Sequence, residues 1–421
     1  MRELKSWLEI TKSHDFSIYN IPFGVFYTNQ NQNTARCGAA IGDYIIDLNE
    51  LMRYGYFKEI KELHNEIFNQ NALNEFFSLG NSVCNSVREK IQNLFLVENN
   101  SLKSHPDHIE KILVPSHSAK MMLPIKVKDY VDFYSSLDHA VNVGKMFRDE
   151  KNPLLPNWKH IPIGYHGRSS SIVVSGTNFK RPKGQLCAPD SNEPTYSYSK
   201  QMDFELEMAF ITNKNTALGE VLTPDNAKNS IFGLTLFNDW SARDIQRWEY
   251  VPLGPFLGKS FASSMSPWVV SLEALAPFAL PAPEKDTPEL DYLKCSAKAH
   301  YDICLDVYIQ TEKMKEPFLI SQSNYKYMYW NLLQQLAHMT SNGTPISVGD
   351  VYGSGTISGP TANSYGSMLE LSWKGTKPIS LPDGTNRSFL QDGDSIIFNG
   401  YAIKDNIRVG FGSLTGIILS N

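Results

Sequence analysis

Cysteine is scarce in this 421-residue chain, and the five cysteines lie far apart, at Cys37, Cys84, Cys187, Cys295 and Cys304. They form no C-x-x-C pair and their number is odd, so the sequence predicts neither a disulfide framework nor a cysteine-based zinc site. Long hydrophobic runs are also lacking. No stretch approaches the roughly 18 apolar residues of a membrane span, and the first residues lack the apolar run of a signal peptide. We therefore expect a soluble, cytoplasmic protein that does not bind membranes.

An excess of charge of either sign is lacking too, because 39 Lys and Arg residues face 44 Asp and Glu residues, which gives a net charge of −5. This balance argues against nucleic acid as a partner. Aromatic residues are frequent at 12%, and Gly and Pro number 27 and 23. That composition favours a mainly β (α+β) protein that is rich in turns.

The chain length predicts about two or three domains. Residues 1–50 read as short strands joined by turns, which fits a small antiparallel barrel, and residues 56–99 read as amphipathic helices. A polar segment at residues 98–107 is the best candidate for a linker. We place the boundary near residue 118, which divides the chain into an N-terminal domain at 1–118 and a C-terminal domain at 119–421.

The most informative stretch begins at residue 201 with Q-M-D-F-E-L-E-M-A-F, in which apolar residues alternate with mostly acidic ones. This period of two predicts one strand over Met202–Phe210 with Glu205 and Glu207 on the same face, roughly 7 Å apart. One interpretation is the solvated face of an edge strand. The other is a pair of carboxylates that share a cation, which would relieve both their repulsion and the cost of their burial.

A second group of polar residues follows the apolar run Ile231–Phe237, which predicts a buried strand that ends at Asp239. Ser241 is a suitable N-cap for a helix over Ala242–Tyr250. On one side of this helix we expect three residues that are suited to bind an anion, and a lysine follows on a glycine-bounded loop. They are Arg243, Gln246, Tyr250 and Lys259.

Further candidates lie on both sides of these segments. Asp132 and Tyr134 precede a helical pattern whose first turn holds His139 and whose end is Arg148. A lone histidine is usually structural, but a histidine beside a carboxylate is the usual general base. Glu370 lies between Leu369 and Leu371 in what reads as a strand, and a carboxylate there needs a partner.

Taken together, these residues suggest a metal-dependent active site. Four carboxylates without cysteine favour Mg²⁺ or Ca²⁺, with Asp132, Glu205, Glu207 and Asp239 as ligands. His139 is the candidate base and Glu370 the group that orients it. The donors that suit a developing negative charge are Arg243, Gln246 and Lys259, and those that suit an anionic substrate are Arg148, Tyr134, Tyr165 and Tyr250. From the residues alone, metal-assisted hydrolysis and lyase chemistry on a small carboxylate both remain open.

Several long motifs resemble the fumarylacetoacetate hydrolase family. The resemblance is dense from about residue 115 to 415 and thinner before it. The motifs are D-F-Y-S-S from Asp132, G-Y-H-G-R-S-S-S from Gly164, M-D-F-E-L-E-M-A-F from Met202, N-D-W-S-A-R-D-I-Q from Asn238, W-E-Y-V-P-L-G-P-F-L-G-K-S-F from Trp248, S-G-T-I-S-G from Ser354 and S-M-L-E-L-S-W-K-G from Ser367.

The resemblance implies a small N-terminal SH3-like barrel, a large C-terminal mixed β-roll with peripheral helices, and a homodimer. It assigns the cation to Asp132, Glu205, Glu207 and Asp239, and the base and its partner to His139 and Glu370. It assigns stabilisation of the leaving carbanion to Arg243, Gln246 and Lys259. It implies substrate contacts at Tyr134, Arg148, Tyr165, Gln246, Tyr250 and Thr356, and a further magnesium near Lys259 and Ser263, where this chain reads A-S-S rather than the more usual G-T-T.

The implied reaction is the hydrolytic cleavage of a C–C bond in 4-fumarylacetoacetate, a small dicarboxylate diketone, to fumarate and acetoacetate. This is the last step of tyrosine and phenylalanine catabolism. The alternative is another enzyme on the same scaffold that acts on a small keto acid, such as an acylpyruvate hydrolase, a decarboxylase or a hydratase. Such relatives share the acids but usually lack a full N-terminal domain. A non-catalytic metal-binding module is the remaining alternative, and for it His139 and Glu370 would be dispensable.

Overall fold

The N-terminal part of the chain forms a five-stranded antiparallel sheet in the computed structural model, which describes residues 4–29, 34–188 and 190–421. The strand order is β4-β3-β2-β1-β5. The last strand of this sheet begins at residue 119, just beyond the predicted domain boundary. The elements are β1 (Phe23–Thr28), β2 (Arg36–Ile41), β3 (Tyr44–Asp47), β4 (Leu113–Pro115), β5 (Ala119–Met122), α1 (Leu48–Arg53), α2 (Asn74–Ser78), α3 (Asn81–Leu94) and α4 (Pro106–Ile112).

The short strands predicted for residues 1–50 are confirmed. Strands β2 and β3 form a tight hairpin in which Ile41 pairs with Tyr44. Gly42 in its turn has a φ of +52°, a backbone conformation that favours glycine. Most of the polar turn predicted between Thr28 and Thr34 lies outside the described residues.

A mixed sheet forms the middle of the molecule, with the order β7-β6-β22-β13-β14-β16-β8 and with β17 paired to β14. The elements from residue 130 to 275 are β6 (Tyr130–Phe133), β7 (Gly164–His166), β8 (Ile172–Val174), β9 (Phe179–Lys180), β10 (Lys183–Leu186), β11 (Thr195–Tyr198), β12 (Met202–Asp203), β13 (Leu206–Thr212), β14 (Ile231–Asp239), β15 (Ser241–Ala242), β16 (Ser263–Met265), β17 (Val270–Ser271), α5 (Leu137–Phe147), α6 (Pro224–Ala227), α7 (Arg243–Glu249), α8 (Leu257–Ser260) and α9 (Leu272–Leu275).

A second five-stranded sheet, β21-β20-β25-β26-β9, is built mainly from the C-terminal residues. The remaining elements are β18 (Ala279–Leu280), β19 (His300–Tyr301), β20 (Cys304–Gln310), β21 (Phe318–Asn324), β22 (Val351–Gly353), β23 (Ile379–Ser380), β24 (Asn386–Arg387), β25 (Ser395–Lys404), β26 (Ile407–Leu419), α10 (Leu332–Thr340) and α11 (Met368–Leu371).

The middle sheet lies between two hydrophobic layers, because successive residues of β13 point to opposite faces. Leu206, Met208 and Phe210 pack in one core with residues of the C-terminal sheet such as Leu305. Ile211 packs in the other core with N-terminal residues, as do Phe232 and Phe237. The fold is thus mixed α/β with many strands. Within the described ranges, none of the helices has the length and hydropathy that crossing a bilayer requires.

Three local predictions were wrong. The strand predicted over Met202–Phe210 is broken, since β12 ends at Asp203 and β13 begins at Leu206. Glu370 lies in the short helix α11 rather than in a strand, because Ser367 caps that helix. Lys259 lies in the short helix α8 rather than in a loop.

Two helices begin in different ways. Helix α10 begins at Leu332, where Asn331 accepts hydrogen bonds from two backbone N–H groups as an N-cap. Helix α7 has Ala242 as its N-cap and no capping side chain. The hydroxyl of Ser241, the predicted cap, donates instead to the carbonyl of Asp239 at 3.1 Å.

Candidate active site

Three acids meet at one edge of the middle sheet, with Asp132 in β6, Asp239 at the end of β14 and Glu205 directly before β13. Strands β6 and β14 both run opposite to β13, because β6 is parallel to β22 and β22 is antiparallel to β13. The C-terminal ends of β6 and β14 therefore lie beside the N-terminal end of β13. There, one oxygen each of Asp132, Glu205 and Asp239 lie within 4.8 Å of one another. All three side chains are buried, so the edge-strand interpretation of the acidic alternation is wrong.

Glu207, the fourth predicted ligand, lies beside this group but outside the set of three close oxygens. Its Oε2 accepts a hydrogen bond from Gly355 N at 3.1 Å. Across β22, a Cβ atom on Gly353 would lie 2.7 Å from Glu207 Oε2 and 3.1 Å from Asp132 Oδ1. The missing side chain of Gly353 therefore leaves room for these two carboxylates to approach each other.

Burial without full pairing makes this group energetically costly. Burial raises the pKa of Asp132 well above its usual range, and the charge of Asp239 raises it further. Burial and the charge of Asp132 act in the same way on the pKa of Glu207. Asp132 Oδ1 and Glu207 Oε1 are buried and have no hydrogen-bond partner among the described residues. Close, partly unpaired carboxylate oxygens suit a hard divalent cation such as Mg²⁺ or Ca²⁺, which would relieve both costs.

Lys259 enters the group from α8 as an internal cation. Its Nζ donates to Asp239 Oδ2 at 2.8 Å and also to Glu205. Burial alone would lower the pKa of Lys259, but Asp239 and Glu205 raise it above its usual value. The ammonium is thus charged and carries no lone pair for a metal. Two hydroxyls complete the environment of Asp239, since Tyr165 donates to Oδ2 at 3.0 Å and Ser263 to Oδ1 at 2.7 Å.

Arg243, at the start of α7, is held by two of its three nitrogens. Its Nε donates to Asp203 Oδ2 at 2.8 Å. One terminal nitrogen lies 2.8 Å from Glu205 Oε1 and donates to Gln246 Oε1 at 3.2 Å. The other terminal nitrogen is buried and has no hydrogen-bond partner in the described part of the chain. Burial would raise the pKa of Glu205, but Lys259 and Arg243 lower it to about 2, so this carboxylate is ionised.

A buried histidine–carboxylate pair lies beside these charges. The Ser136 hydroxyl accepts a hydrogen bond from His139 N and starts α5, so His139 lies in the first turn, as predicted. His139 Nδ1 is 2.7 Å from Glu370 Oε2. Because Nδ1 is engaged, Nε2 is the nitrogen that can exchange a proton with a bound molecule.

Three residues that sequence reasoning missed also donate to Glu370. Asn142 donates to Oε1 at 2.9 Å, Ser358 to both oxygens at 2.9 Å, and Ser367 to Oε2 at 2.8 Å. Burial would raise the pKa of Glu370, but His139, Asn142 and Ser367 lower it below its usual value. Ser358 and Ser367 lie inside motifs that were quoted for the family resemblance, and Asn142 lies one helical turn after His139, so their positions could have been noticed.

The predicted substrate-binding residues are less tightly grouped. Tyr134 is half-buried, hydrogen-bonds with Arg148 and meets the His139 ring edge-on, with 5.3 Å between ring centroids. Thr356 is buried in the loop after β22, whereas Gln246 is only half-buried. Tyr250 follows α7 and is 50% exposed. Its phenol makes no hydrogen bond to the four acids, although all of them belong to the described residues.

Comparisons with known proteins show the family of the chain. A family model described as the C-terminal domain of fumarylacetoacetate hydrolase matches residues 128–416, and one described as the N-terminal domain of fumarylacetoacetase matches residues 19–124. The chain belongs to the fumarylacetoacetate hydrolase family. Its similarity over the whole chain to curated fumarylacetoacetases shows that it is a hydrolase.

Similar members of the fumarylacetoacetate hydrolase family cover essentially the whole chain. The fumarylacetoacetase of Dictyostelium discoideum is 50% identical over 100% of this chain and 99% of its own. That of Homo sapiens is 48% identical over 98% of both chains. A solved fumarylacetoacetate hydrolase from Exiguobacterium antarcticum is only 18% identical, but it covers 95% of this chain and 100% of its own with a TM-score of 0.52. This last likeness concerns the fold.

Proposed function

We propose that this hydrolase cleaves a C–C bond of 4-fumarylacetoacetate, which yields fumarate and acetoacetate in the last step of tyrosine and phenylalanine catabolism. The observation that carries the proposal is the buried His139–Glu370 pair beside a cluster of acids and two cations. Support comes from relatives named fumarylacetoacetase, which are 42–50% identical over nearly their whole length.

His139 is the proposed general base. With Nδ1 engaged by Glu370, Nε2 takes a proton from water, and the oxygen of that water adds to the carbonyl carbon next to the bond that breaks. Glu370 offsets the charge of the imidazolium that forms. When the C–C bond breaks, its electron pair stays on the acetoacetate carbon, and the imidazolium returns its proton there.

Three donors are proposed to stabilise the negative charge that develops in this sequence of steps, namely Arg243, Gln246 and Lys259. Fixed, buried donors are effective because they need little reorganisation at the moment of reaction. The free terminal nitrogen of Arg243 suits this role, since it is buried and has no partner in the ranges the structure describes. Substrate contacts are proposed for Tyr134, Arg148, Tyr165, Gln246, Tyr250 and Thr356.

A divalent cation, Mg²⁺ or Ca²⁺, is proposed on Asp132, Glu205, Glu207 and Asp239. When bound, it would supply Lewis-acid polarisation of the diketone oxygens. A further magnesium is proposed beside Lys259 and Ser263. Because the Lys259 ammonium offers no lone pair, that ion would use main-chain or hydroxyl oxygens.

The finer features of the fold and the assembly belong to the same proposal. Strands β1 to β4 form the core of a small SH3-like barrel domain at residues 1–118, and residues 119–421, which contribute the fifth strand β5 to its sheet, form the catalytic β-roll. The enzyme acts as a homodimer in the cytoplasm. The two family models match residues 19–124 and 128–416 separately, which supports the division into two domains.

The test is the loss of 4-fumarylacetoacetate absorbance catalysed by the purified protein and by two histidine variants. We expect His139→Ala to keep the fold and to lower kcat by about 10²–10⁴-fold, the usual contribution of a general base. His64→Ala is the matched control, because His64 also pairs with a glutamate, Glu75, at 2.8 Å but on the surface. Turnover of an acylpyruvate in preference to 4-fumarylacetoacetate, or near-normal kcat in His139→Ala, would refute the proposal.

A further inference from the structure

A buried carboxylate outside the predicted site joins two of its parts. Asp203 is fully buried at the end of β12. Its Oδ2 accepts hydrogen bonds from Arg243 Nε at 2.8 Å and from Leu369 N at 3.0 Å, and its Oδ1 accepts one from Met368 N at 2.6 Å. One carboxylate thus contacts the arginine beside the acidic group and the first turn of α11.

Both ends of this bridge lead to groups of the proposed mechanism. Helix α11 is one turn long and carries Glu370, so the two amides held by Asp203 belong to the residues directly before Glu370. At the other end, Asp203 takes the Nε of Arg243, while Glu205 and Gln246 take one terminal nitrogen. A planar guanidinium held at two nitrogens has a fixed direction for the third, which is the nitrogen left without a partner.

We propose that Asp203 is a positioning residue, which sets the direction of the free Arg243 nitrogen and the location of Glu370 relative to each other. The role of these two groups in turnover rests on the function proposed above. Charge balance alone does not account for the arrangement. Glu205 already supplies Arg243 with a counter-charge at 2.8 Å, and neutral main-chain amides need an acceptor rather than a charge.

Asp203→Asn changes the hydrogen bonds of this side chain while its shape and volume stay nearly the same. An effect of the substitution therefore reports on positioning rather than on packing. An asparagine offers one oxygen and one NH₂ group. Whichever way it turns, its NH₂ group faces either the Nε–H of Arg243 together with the Leu369 N–H, or the Met368 N–H. Two donors then face each other, and at least one of the hydrogen bonds that fix the bridge is lost.

Asp244→Asn is the matched control. Asp244 is the next buried aspartate in this region, and it accepts hydrogen bonds from the Ser199 hydroxyl and the Lys200 N–H, both at 2.6 Å. It bonds neither to the Arg243 guanidinium nor to α11 within the described residues. We expect both variants to lower the melting temperature, but only Asp203→Asn to lower kcat, by about 10–100-fold, somewhat less than the removal of an oxyanion donor.

A double-mutant cycle on kcat tests whether Asp203 acts through Arg243. If it does, Asp203→Asn lowers kcat by a factor at least about tenfold smaller in the Arg243→Ala enzyme than in the wild-type enzyme. The reason is that the guanidinium that Asp203 would orient is already absent. Penalties that simply multiply, or a kcat for Asp203→Asn within twofold of the wild type, would overturn the proposal.

A second readout needs no substrate. The NMR resonance of the Arg243 Nε–H reports directly on its hydrogen bond to Asp203. It can be assigned in ¹⁵N-arginine-labelled protein by its loss in Arg243→Lys. We expect its hydrogen exchange to be slow in the wild type and in Asp244→Asn, and at least tenfold faster in Asp203→Asn. Equal exchange in all three proteins would overturn the proposal. If exchange responds as expected in a protein that does not turn over 4-fumarylacetoacetate, the proposed function fails while the positioning by Asp203 stands.

Discussion

Glu370 keeps its charge although it is almost completely buried. Hydrogen bonds from Asn142, Ser358 and Ser367 surround the carboxylate, and His139 provides an adjacent imidazole. The Ser358 hydroxyl also accepts a hydrogen bond from Gly366 N at 2.9 Å, which directs its own proton towards Glu370. An acceptor that is satisfied this fully has little freedom to turn, so the imidazole partner is held in one place.

The ionised state of Glu370 predicts a specific dependence of stability on pH. Burial would raise its pKa, but His139 and the surrounding donors hold it below the ordinary value of 4.5. A lowered folded-state pKa stabilises the fold above the unfolded-state value, and this contribution disappears as the pH falls through the folded-state value. The difference in unfolding free energy between wild type and Glu370→Gln should therefore be largest above pH 5 and shrink below pH 4.5.

Urea unfolding between pH 3.5 and 7 measures this difference. The control is Glu284→Gln, because Glu284 is exposed and its replacement should change the free energy little at any pH. A difference for Glu370→Gln that stays constant over this range would contradict the ionised state.

At the scale of elements, the acidic group is a product of strand direction. Strands β6, β13 and β14 supply Asp132, Glu207 and Asp239, Glu205 directly precedes β13, and β22 lies between β6 and β13. The residue of β22 that faces two of these carboxylates is Gly353, where a Cβ atom would come within 2.7 Å of Glu207 Oε2. The small residue on the intervening strand thus allows acids from two other strands to face each other.

Gly353→Ala should therefore impair cation binding. The added methyl group pushes Glu207 and Asp132 apart, and the wild-type increase in melting temperature with CaCl₂ or MgCl₂ should be lost or at least halved. Differential scanning fluorimetry with and without the salts measures this. Gly400→Ala is the control, because its Cβ would come within 2.7 Å of an apolar atom of Leu236. Gly400→Ala should lower the melting temperature but keep the wild-type increase with CaCl₂ or MgCl₂. A wild-type increase in Gly353→Ala as well would contradict the proposed cation site.

Elements with a regular pattern could be predicted from the sequence. The run at Ile231 gave the buried strand β14, and the pattern after Ser136 gave helix α5 with His139 in its first turn. The break between Asp203 and Leu206 could not be predicted in this way, because the alternation of apolar and acidic residues continues through it. Its cause is tertiary, since Asp203 and Glu205 bond to residues far along the chain.

The same limit explains the errors around Glu370. A helix of four residues is too short to show a period of 3.6, and Leu369 and Leu371 on either side of an acid look like a strand. What makes this segment helical is the Ser367 cap together with Asp203, which accepts hydrogen bonds from the first amides. The types of site residues could be read from the sequence, but Asp203, Asn142 and Ser358 act through contacts that only the folded chain contains.

At the scale of the whole molecule, the N-terminal part packs on the back of the middle sheet. Phe77 of α2 stacks on Phe232 of β14 with 3.7 Å between ring centroids, and Phe23 of β1 meets the same ring at 6.0 Å. Phe23 also exchanges two backbone hydrogen bonds with Val269. Both parts of the chain share one hydrophobic core, so the strand that ends in Asp239 is supported by residues more than 150 positions before it.

Phe232→Ala tests whether the two parts unfold together. Removing a buried phenylalanine costs about 3–5 kcal/mol, and we expect amides of β2 and of β14 to lose protection by a similar free energy. Hydrogen exchange measured by mass spectrometry in dilute denaturant gives both values. Tyr196→Ala is the control, since Tyr196 is 69% exposed. If the amides of β14 lost protection while those of β2 kept theirs, the N-terminal part and the middle sheet would unfold independently.

The separation of His139 and Glu370 by 231 positions has a consequence for biosynthesis. During translation, the imidazole leaves the ribosome long before its partner has been added. The nascent protein therefore holds no assembled His139–Glu370 pair until residue 370 has emerged and the surrounding β-structure has closed. Any product of premature termination before that residue would lack the pair on which the proposed function rests, however well its earlier segments had folded.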